Sequence, residues 1–559
     1  MKSFPAYTFN TLACLRTAML AALLLALVIP AAQAEDPRFN QHPALRRPRT
    51  LLKLPLQYGV ERLDPGKAAT TQALELANQL FAGLTRFEFA NGTTSVLPDL
   101  AERWEASSDG MRYVFHLRNA RWSDGAPLTA HDIVYAARRN IRPSTGSPFA
   151  RLMYDIRYAA AIHNHQEPNP EKLGVRALDD LTLEVLLNRP ASYFPALAGM
   201  WPLRPLPRHV IEKKGAHWDT PENVVGNGPY RISAHEAGKW VLLERSENFY
   251  DRDHVAIPGV FYRVVPYSSD GLELYEEGSL DYISRHLLPV PRSASDYILS
   301  HSRLKSHFSL ERMMCADYLG MNPRRQPTSD PRLRKALAMA IDRGELAKEA
   351  LDGLGQETTT MVPPPTFGAP EHIRATGLPF NPGLAKAELA PVGASGLEKM
   401  PPLEFLVNRG RPQEAVAGRI KKMLEENLGL KVHLDVREYQ TFAGALEEPN
   451  APHLFRLSRC ANFPDAHDWL GGDILPVGEG RPPPWRNTAF EELIRMAGAS
   501  QDQGERSRLY ARAEKIITEV EVIIVPLYFH LSPTLTKPNI RAAYSPMGYN
   551  DIRLWSFRH

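Results

Sequence analysis

The stretch Leu403-Glu-Phe-Leu-Val-Asn-Arg-Gly-Arg-Pro-Gln-Glu-Ala-Val-Ala-Gly-Arg-Ile-Lys-Lys-Met-Leu-Glu-Glu-Asn-Leu-Gly-Leu-Lys-Val-His-Leu-Asp435 sets the fold class. Leu403 to Val407 is a short apolar run, which reads as a strand. From Gln413 to Leu428, Val416, Ile420, Met423 and Leu424 fall on one face of a helix, and Gly429 is placed to stop it. Leu430, Val432 and Leu434 then alternate with Lys431, His433 and Asp435, the period-two signature of a half-buried strand. Strand, helix and strand in this order imply a parallel pair with a right-handed crossover. The chain is α/β.

Working outward, Leu51 to Tyr58, Tyr113 to Leu117 and Leu181 to Leu187 read as strands, and Ala130 to Arg139 as a helix. Ser329-Asp-Pro331 is a helix start: Asp330 caps free N–H groups, Pro331 suits the first turn, and Leu333, Leu337 and Ile341 share one apolar face. A second helix near Glu505–Ile517 leads into a buried strand, Val522 to Tyr528. Several sheets are expected, with no repeat and no low-complexity tract.

The first 34 residues read as a secretory signal. Lys2 and Arg16 precede an apolar run from Ala18 to Ile29, and Ala32-Gln-Ala34 is a small-x-small cleavage site. A dozen apolar residues are too few to cross ~30 Å of hydrocarbon as a helix. The mature protein is expected to begin near Glu35, outside the cytoplasm. Cleavage removes two cations and no anion from a formal charge of +3, so the chain is close to neutral. That balance excludes bulk electrostatic attraction to nucleic acid. A chain of 559 residues, less the signal, is too long for one core, so two or three lobes are expected.

Only Cys315 and Cys460 lie beyond the signal. In an oxidising compartment they are a candidate disulfide, and two separate buried thiols is the other reading. Neither has metal-ligand spacing, and no metal or cofactor is expected. There is no G-x-S-x-G elbow, phosphate loop or H-E-x-x-H helix. Gly226-Asn-Gly228 is too short for a cofactor turn, and His163 with His165 reads as a solvated pair on one strand face.

Two longer segments carry a resemblance. Leu100-Ala-Glu-Arg-Trp-Glu-Ala-Ser-Ser-Asp-Gly-Met-Arg-Tyr-Val-Phe-His-Leu-Arg118 and Arg121-Trp-Ser-Asp-Gly-Ala-Pro-Leu-Thr-Ala-His-Asp-Ile-Val-Tyr135 resemble the family-five extracellular solute-binding proteins, the peptide- and nickel-binding receptors of ABC importers. The likeness continues in order through Leu63-Asp-Pro65, Gly226 to Arg231, Leu242 to Tyr250, Ser329 to Arg343 and Ile524 to Tyr528. Ser147 to Ala150, Leu173 to Val185 and the two cysteines are similar to the oligopeptide-binding branch. The resemblance implies a two-lobed, hinged periplasmic binding protein with a third, smaller domain inserted in the first lobe. The first lobe would comprise 35–83, 206–313 and 530–559, the inserted domain 84–205 and the second lobe 314–529. It also implies a Cys315–Cys460 bridge, an oligopeptide or peptide-like ligand, partner permease and ATPase subunits, a monomeric receptor and no enzymatic activity.

Site residues follow from the same resemblance. The branch places an aspartate two residues after the second cysteine to pair with the peptide's amine. Asn462 stands there, which removes the countercharge. Phe149 replaces its usual tyrosine partner, and Asp465 nearby is either a substitute anion or a helix cap. Arg456 matches an arginine that receives a ligand carboxylate. Arg459 replaces a tryptophan, Arg285 and His286 replace asparagines, and Tyr439, Tyr318 and His530 fall at side-chain pockets. One anion lost and cations gained point to a peptide-like ligand with a blocked, absent or displaced amine and extra negative charge. A metal or metallophore receptor on the same fold, a secreted peptidase, and a sensor or chaperone are the alternatives.

Overall fold

The strand–helix–strand unit forms as read. Leu403–Asn408 and Val432–Arg437 are parallel, with Leu403 opposite Val432, and the helix Arg411–Leu428 crosses between them. Val416, Ile420, Met423 and Leu424 are buried, and Gly429 takes φ +69°, the left-handed turn at which a side chain would be strained. The computed structural model describes residues 51–90, 92–448, 450–472, 474–475 and 485–558. The secretion signal read at residues 1–34 lies outside them.

That unit sits at one edge of a seven-stranded mixed sheet. Its order is Tyr282–Ser284, Ile524–Thr536, Phe308–Met321, Leu454–Cys460, Leu403–Asn408, Val432–Arg437, with Gly355–Glu357 also paired to Ile524–Thr536. A second sheet joins Leu51–Leu56, Gly259–Val264, Trp240–Arg245 and Tyr230–Glu236. A third joins Ala101–Ala106, Arg112–Leu117, Thr182–Leu186 and Val175–Asp179.

Two strands are far longer than the rest. Phe308–Met321 and Ile524–Thr536 run antiparallel. At one end Leu535 packs among Val265, Leu272 and Tyr275. At the other, Leu319 and Val525 enter the core around Leu337, Phe405 and Ile420. Their register shifts between Arg312 and Ala316, so the ladder is broken midway between the two cores.

Asp330 caps the helix Pro331–Met339 through Arg332 N–H at 2.9 Å, and Leu333, Leu337 and Ile341 are buried. Gly226-Asn-Gly228 has a packing role: a Cβ on Gly226 would lie 2.0 Å from the Leu80 carbonyl, and Asn227 exchanges two hydrogen bonds with the Ala82 backbone. The reading of His163 and His165 as neighbours on a strand is corrected. His163 ends the short helix Ala159–His163 with Nδ1 2.7 Å from the Tyr154 hydroxyl, and His165 follows at φ +59°. The turn-rich Gln166-Glu-Pro-Asn-Pro170 beyond it breaks any strand.

Candidate functional site

Cys315 and Cys460 face each other across antiparallel strands, joined by a disulfide with sulfurs 2.00 Å apart. That register sets the neighbours. Asp317 stands opposite Ser458, Leu319 opposite Arg456, and Ala316 opposite Arg459.

Asp317 is fully buried at the centre of the first group. Arg456 Nη2 donates to its Oδ2 at 2.5 Å and to the Tyr528 hydroxyl at 3.0 Å. His530 Nε2 lies 3.2 Å from the same Oδ2, with Ser458 Oγ at 3.2 Å. On its other side His530 Nδ1 accepts from Arg285 Nη1 at 3.1 Å, which selects the Nε2–H tautomer. Burial works to raise the Asp317 pKa, but Arg456 and His530 outweigh it and bring it down to about 2. Arg456 and the His530 imidazole thus contact one carboxylate, with Arg285 behind the imidazole, and Arg456 Nε is buried with no partner among the described residues.

The second group lies beyond Cys460. Asn462 donates its backbone N–H to Asp468 Oδ2 at 2.8 Å and its side-chain amide to Oδ1 at 3.0 Å. Arg459 Nη2 is 3.4 Å from Asp468 Oδ1, donates to the Asp468 carbonyl, and holds its guanidinium 5.5 Å from the Trp469 ring centre. Asp468 is 7% exposed; burial raises its pKa, against the pull of Arg459 and Asn462. A carboxylate therefore remains beside position 462, but it is already neutralised. Asp465 is engaged twice: it caps the helix Ala466–Leu470 and pairs with Arg506 at 2.7 Å.

Among the described residues, the other side chains singled out from the sequence join neither group by a hydrogen bond. Phe149 sits in the short helical turn before Met153, its ring 6.3 Å from Trp201. Tyr318 points to the face opposite Asp317, 6% exposed among Met361, Leu406 and Phe442. Tyr439 is 72% exposed at the start of the helix Tyr439–Leu446. His286 is buried, its Nε2 3.1 Å from Asn550 Nδ2, and burial depresses its pKa to about 4. Sequence reasoning missed Asp317, Tyr528 and Asp468. The signal for Asp317 was present: one carboxylate inside the apolar run Met313 to Met321 needs a buried partner.

A family model described as bacterial extracellular solute-binding proteins, family 5 Middle, matches residues 95–472. The chain belongs to that family. It is 31% identical over 488 residues to the probable deoxycholate-binding periplasmic protein YgiS of Escherichia coli K12, covering 86% of this chain and 88% of the relative. It is 30% identical to the periplasmic oligopeptide-binding protein OppA of Salmonella typhimurium LT2, covering 86% and 87%. Among solved structures, the unliganded open form of the periplasmic murein tripeptide binding protein MppA matches with a TM-score of 0.79 and 25% identity, over 91% of this chain and 98% of that one. The family-five fold is the two-lobed α/β clamshell expected from the sequence. Among the described residues no helix is long and apolar enough to cross a membrane, and no three His, Cys, Asp or Glu side chains group as a metal site.

Proposed function

We propose that this family-five protein is the periplasmic receptor of an ABC-type importer, carrying a peptide or peptide-like carboxylate to its permease and releasing it unchanged. The observation that carries this reading is the extent of the likeness, which runs over 86% of the chain to two periplasmic binding proteins. In this reading residues 1–34 are cleaved on export. Segments 35–83, 206–313 and 530–559 form the first lobe, with 84–205 inserted, and 314–529 form the second. The broken register between Arg312 and Ala316 supports a hinge in the two long strands. Ligand binds between the lobes as a monomeric receptor closes on it, because the closed form holds it better. Arg285 and His530 of the first lobe and Arg456 of the second supply the anion-receiving end.

The ligand's amine is not the anchor. Asp468 is paired with Arg459 and hydrogen-bonded by Asn462, so no free carboxylate awaits an ammonium there. The relative named for deoxycholate, a carboxylate with no amine, favours the same view. Calorimetric titration with deoxycholate, N-acetylated tripeptides, free tripeptides and tri-lysine tests it. Amine-free or blocked carboxylates are expected to bind about tenfold or more tightly than tri-lysine, a gap of about 1.4 kcal/mol. Tight binding of tri-lysine overturns the amine-free ligand, and no binding by any member, with no ligand found by mass spectrometry of the native protein, overturns the receptor.

A further inference from the structure

A cavity of about 420 Å³ lies between the strand Thr85–Ala90, the turn Gly199 to Arg204 and the chain from Arg541 to Ser556. None of the nine ligand-contact residues drawn from the sequence lines it. Four arginines, Arg86, Arg204, Arg541 and Arg553, face three carboxylates, Glu88, Asp99 and Asp551.

These charges are not interchangeable. Arg553 is spent on two carboxylates, with Nη1 2.7 Å from Asp99 Oδ1 and Nε 2.8 Å from Asp551 Oδ2. Asp99 also accepts from the Tyr250 hydroxyl. Arg204 is 7% exposed, yet among the described residues its hydrogen bonds go only to uncharged acceptors: Phe81 O at 2.5 Å, Asn78 Oδ1 at 2.8 Å and, weakly, Gly199 O at 3.4 Å. Three of its five N–H groups are used. Its guanidinium lies 4.0 Å from the Trp201 ring centre, and burial brings its pKa down to about 10. Arg86 and Tyr544 line the cavity, and Arg86 Nη1 and the Tyr544 hydroxyl are both buried without a hydrogen-bond partner among the described residues.

A buried donor left unpaired is costly, more so if charged, so two on residues lining one cavity, beside a cation without a carboxylate, define what would fit. The complement is an acceptor carrying negative charge, which forms the shorter and stronger class of hydrogen bond. Phe87 and Tyr549 add aromatic wall. The volume is near the lower end of the roughly 300–1,000 Å³ typical of small-molecule pockets, which suits one ring rather than a peptide. We propose that this cavity is a second binding site, separate from the group around Asp317, for a small ring-bearing carboxylate received by Arg86, Arg204 and the Tyr544 hydroxyl. It does not depend on the transport reading.

The test is fluorine NMR of 4-fluorobenzoate titrated with the full mature chain. Saturable line broadening is expected, displaced by unlabelled benzoate and not by acetate at equal concentration. Arg86→Ala leaves no buried partner stranded, and Tyr544→Phe keeps the ring; each is expected to weaken binding about tenfold or more, the usual worth of a hydrogen bond to a charged group. Thermal unfolding of both variants confirms the fold. Broadening that never saturates, that acetate abolishes equally, or that survives both substitutions unchanged overturns the site. Because benzoate is neither peptide nor steroid, failure here leaves the importer reading standing, and failure of the peptide and deoxycholate titrations leaves this one.

Discussion

Glu75 is buried in a network whose two titrating members respond oppositely to pH. Its carboxylate accepts from the Tyr262 hydroxyl at 2.8 Å and the Asn550 N–H at 2.7 Å, and Asn550 in turn reaches His286. Burial pushes the Glu75 pKa from 4.5 up to about 7, and that of His286 from 6.5 down to about 4. For an acid raised on folding, the folded state binds the extra proton, so the contribution is complete below 4.5 and lost as pH rises through 7. For His286 the sign reverses: stability is present above 6.5 and lost as pH falls towards 4. Glu75→Gln removes the first term alone. Urea unfolding midpoints measured from pH 4.5 to 7 should show the parent losing on the order of 3 kcal/mol relative to the variant, and a gap that does not change with pH contradicts the assignment. Asp317, held at about 2, loses its contribution only below its unfolded value of 3.8, in a separate acid window. Residue identities alone left these networks invisible. Glu75 looks like any helix glutamate until Tyr262 and Asn550, distant in the chain, close over it.

At the scale of elements the sequence was far more legible. The helix Arg411–Leu428 and its flanking strands, the capped helix at Pro331 and the strand Arg112–Leu117 all follow local periodicity. The apolar run predicts the last long strand only to Tyr528, because His530, Ser532 and Pro533 interrupt it; the strand continues to Thr536 because Phe308–Met321 supplies a partner. The disulfide ties together elements 145 residues apart. Closing so long a loop restricts the unfolded chain, so replacing Cys315 and Cys460 with alanine should cost about 2–5 kcal/mol. Urea unfolding of that double variant, and of the parent with reductant, checks it; equal midpoints with and without the bridge would mean that it adds nothing.

For the whole molecule, the prediction concerns closure. A receptor that closes on its ligand must start from an open arrangement. Small-angle scattering should then show the radius of gyration falling as ligand is added, in step with calorimetric occupancy. Occupancy without compaction would remove the clamshell mechanism.

The sequence by itself determined the α/β class, most helices and strands and, through family likeness, the cysteine pairing. These depend on patterns that repeat within a few residues, or on motifs kept in order along the chain. Only the tertiary structure decided that Arg456 meets Asp317 and His530, that Arg459 neutralises Asp468 beside Asn462, and that Tyr318 and Asp317 take opposite faces of one sheet. The reason is physical. A strand's alternation says that a residue faces one way or the other, but which charge waits there depends on the register of strands separated by a hundred residues or more.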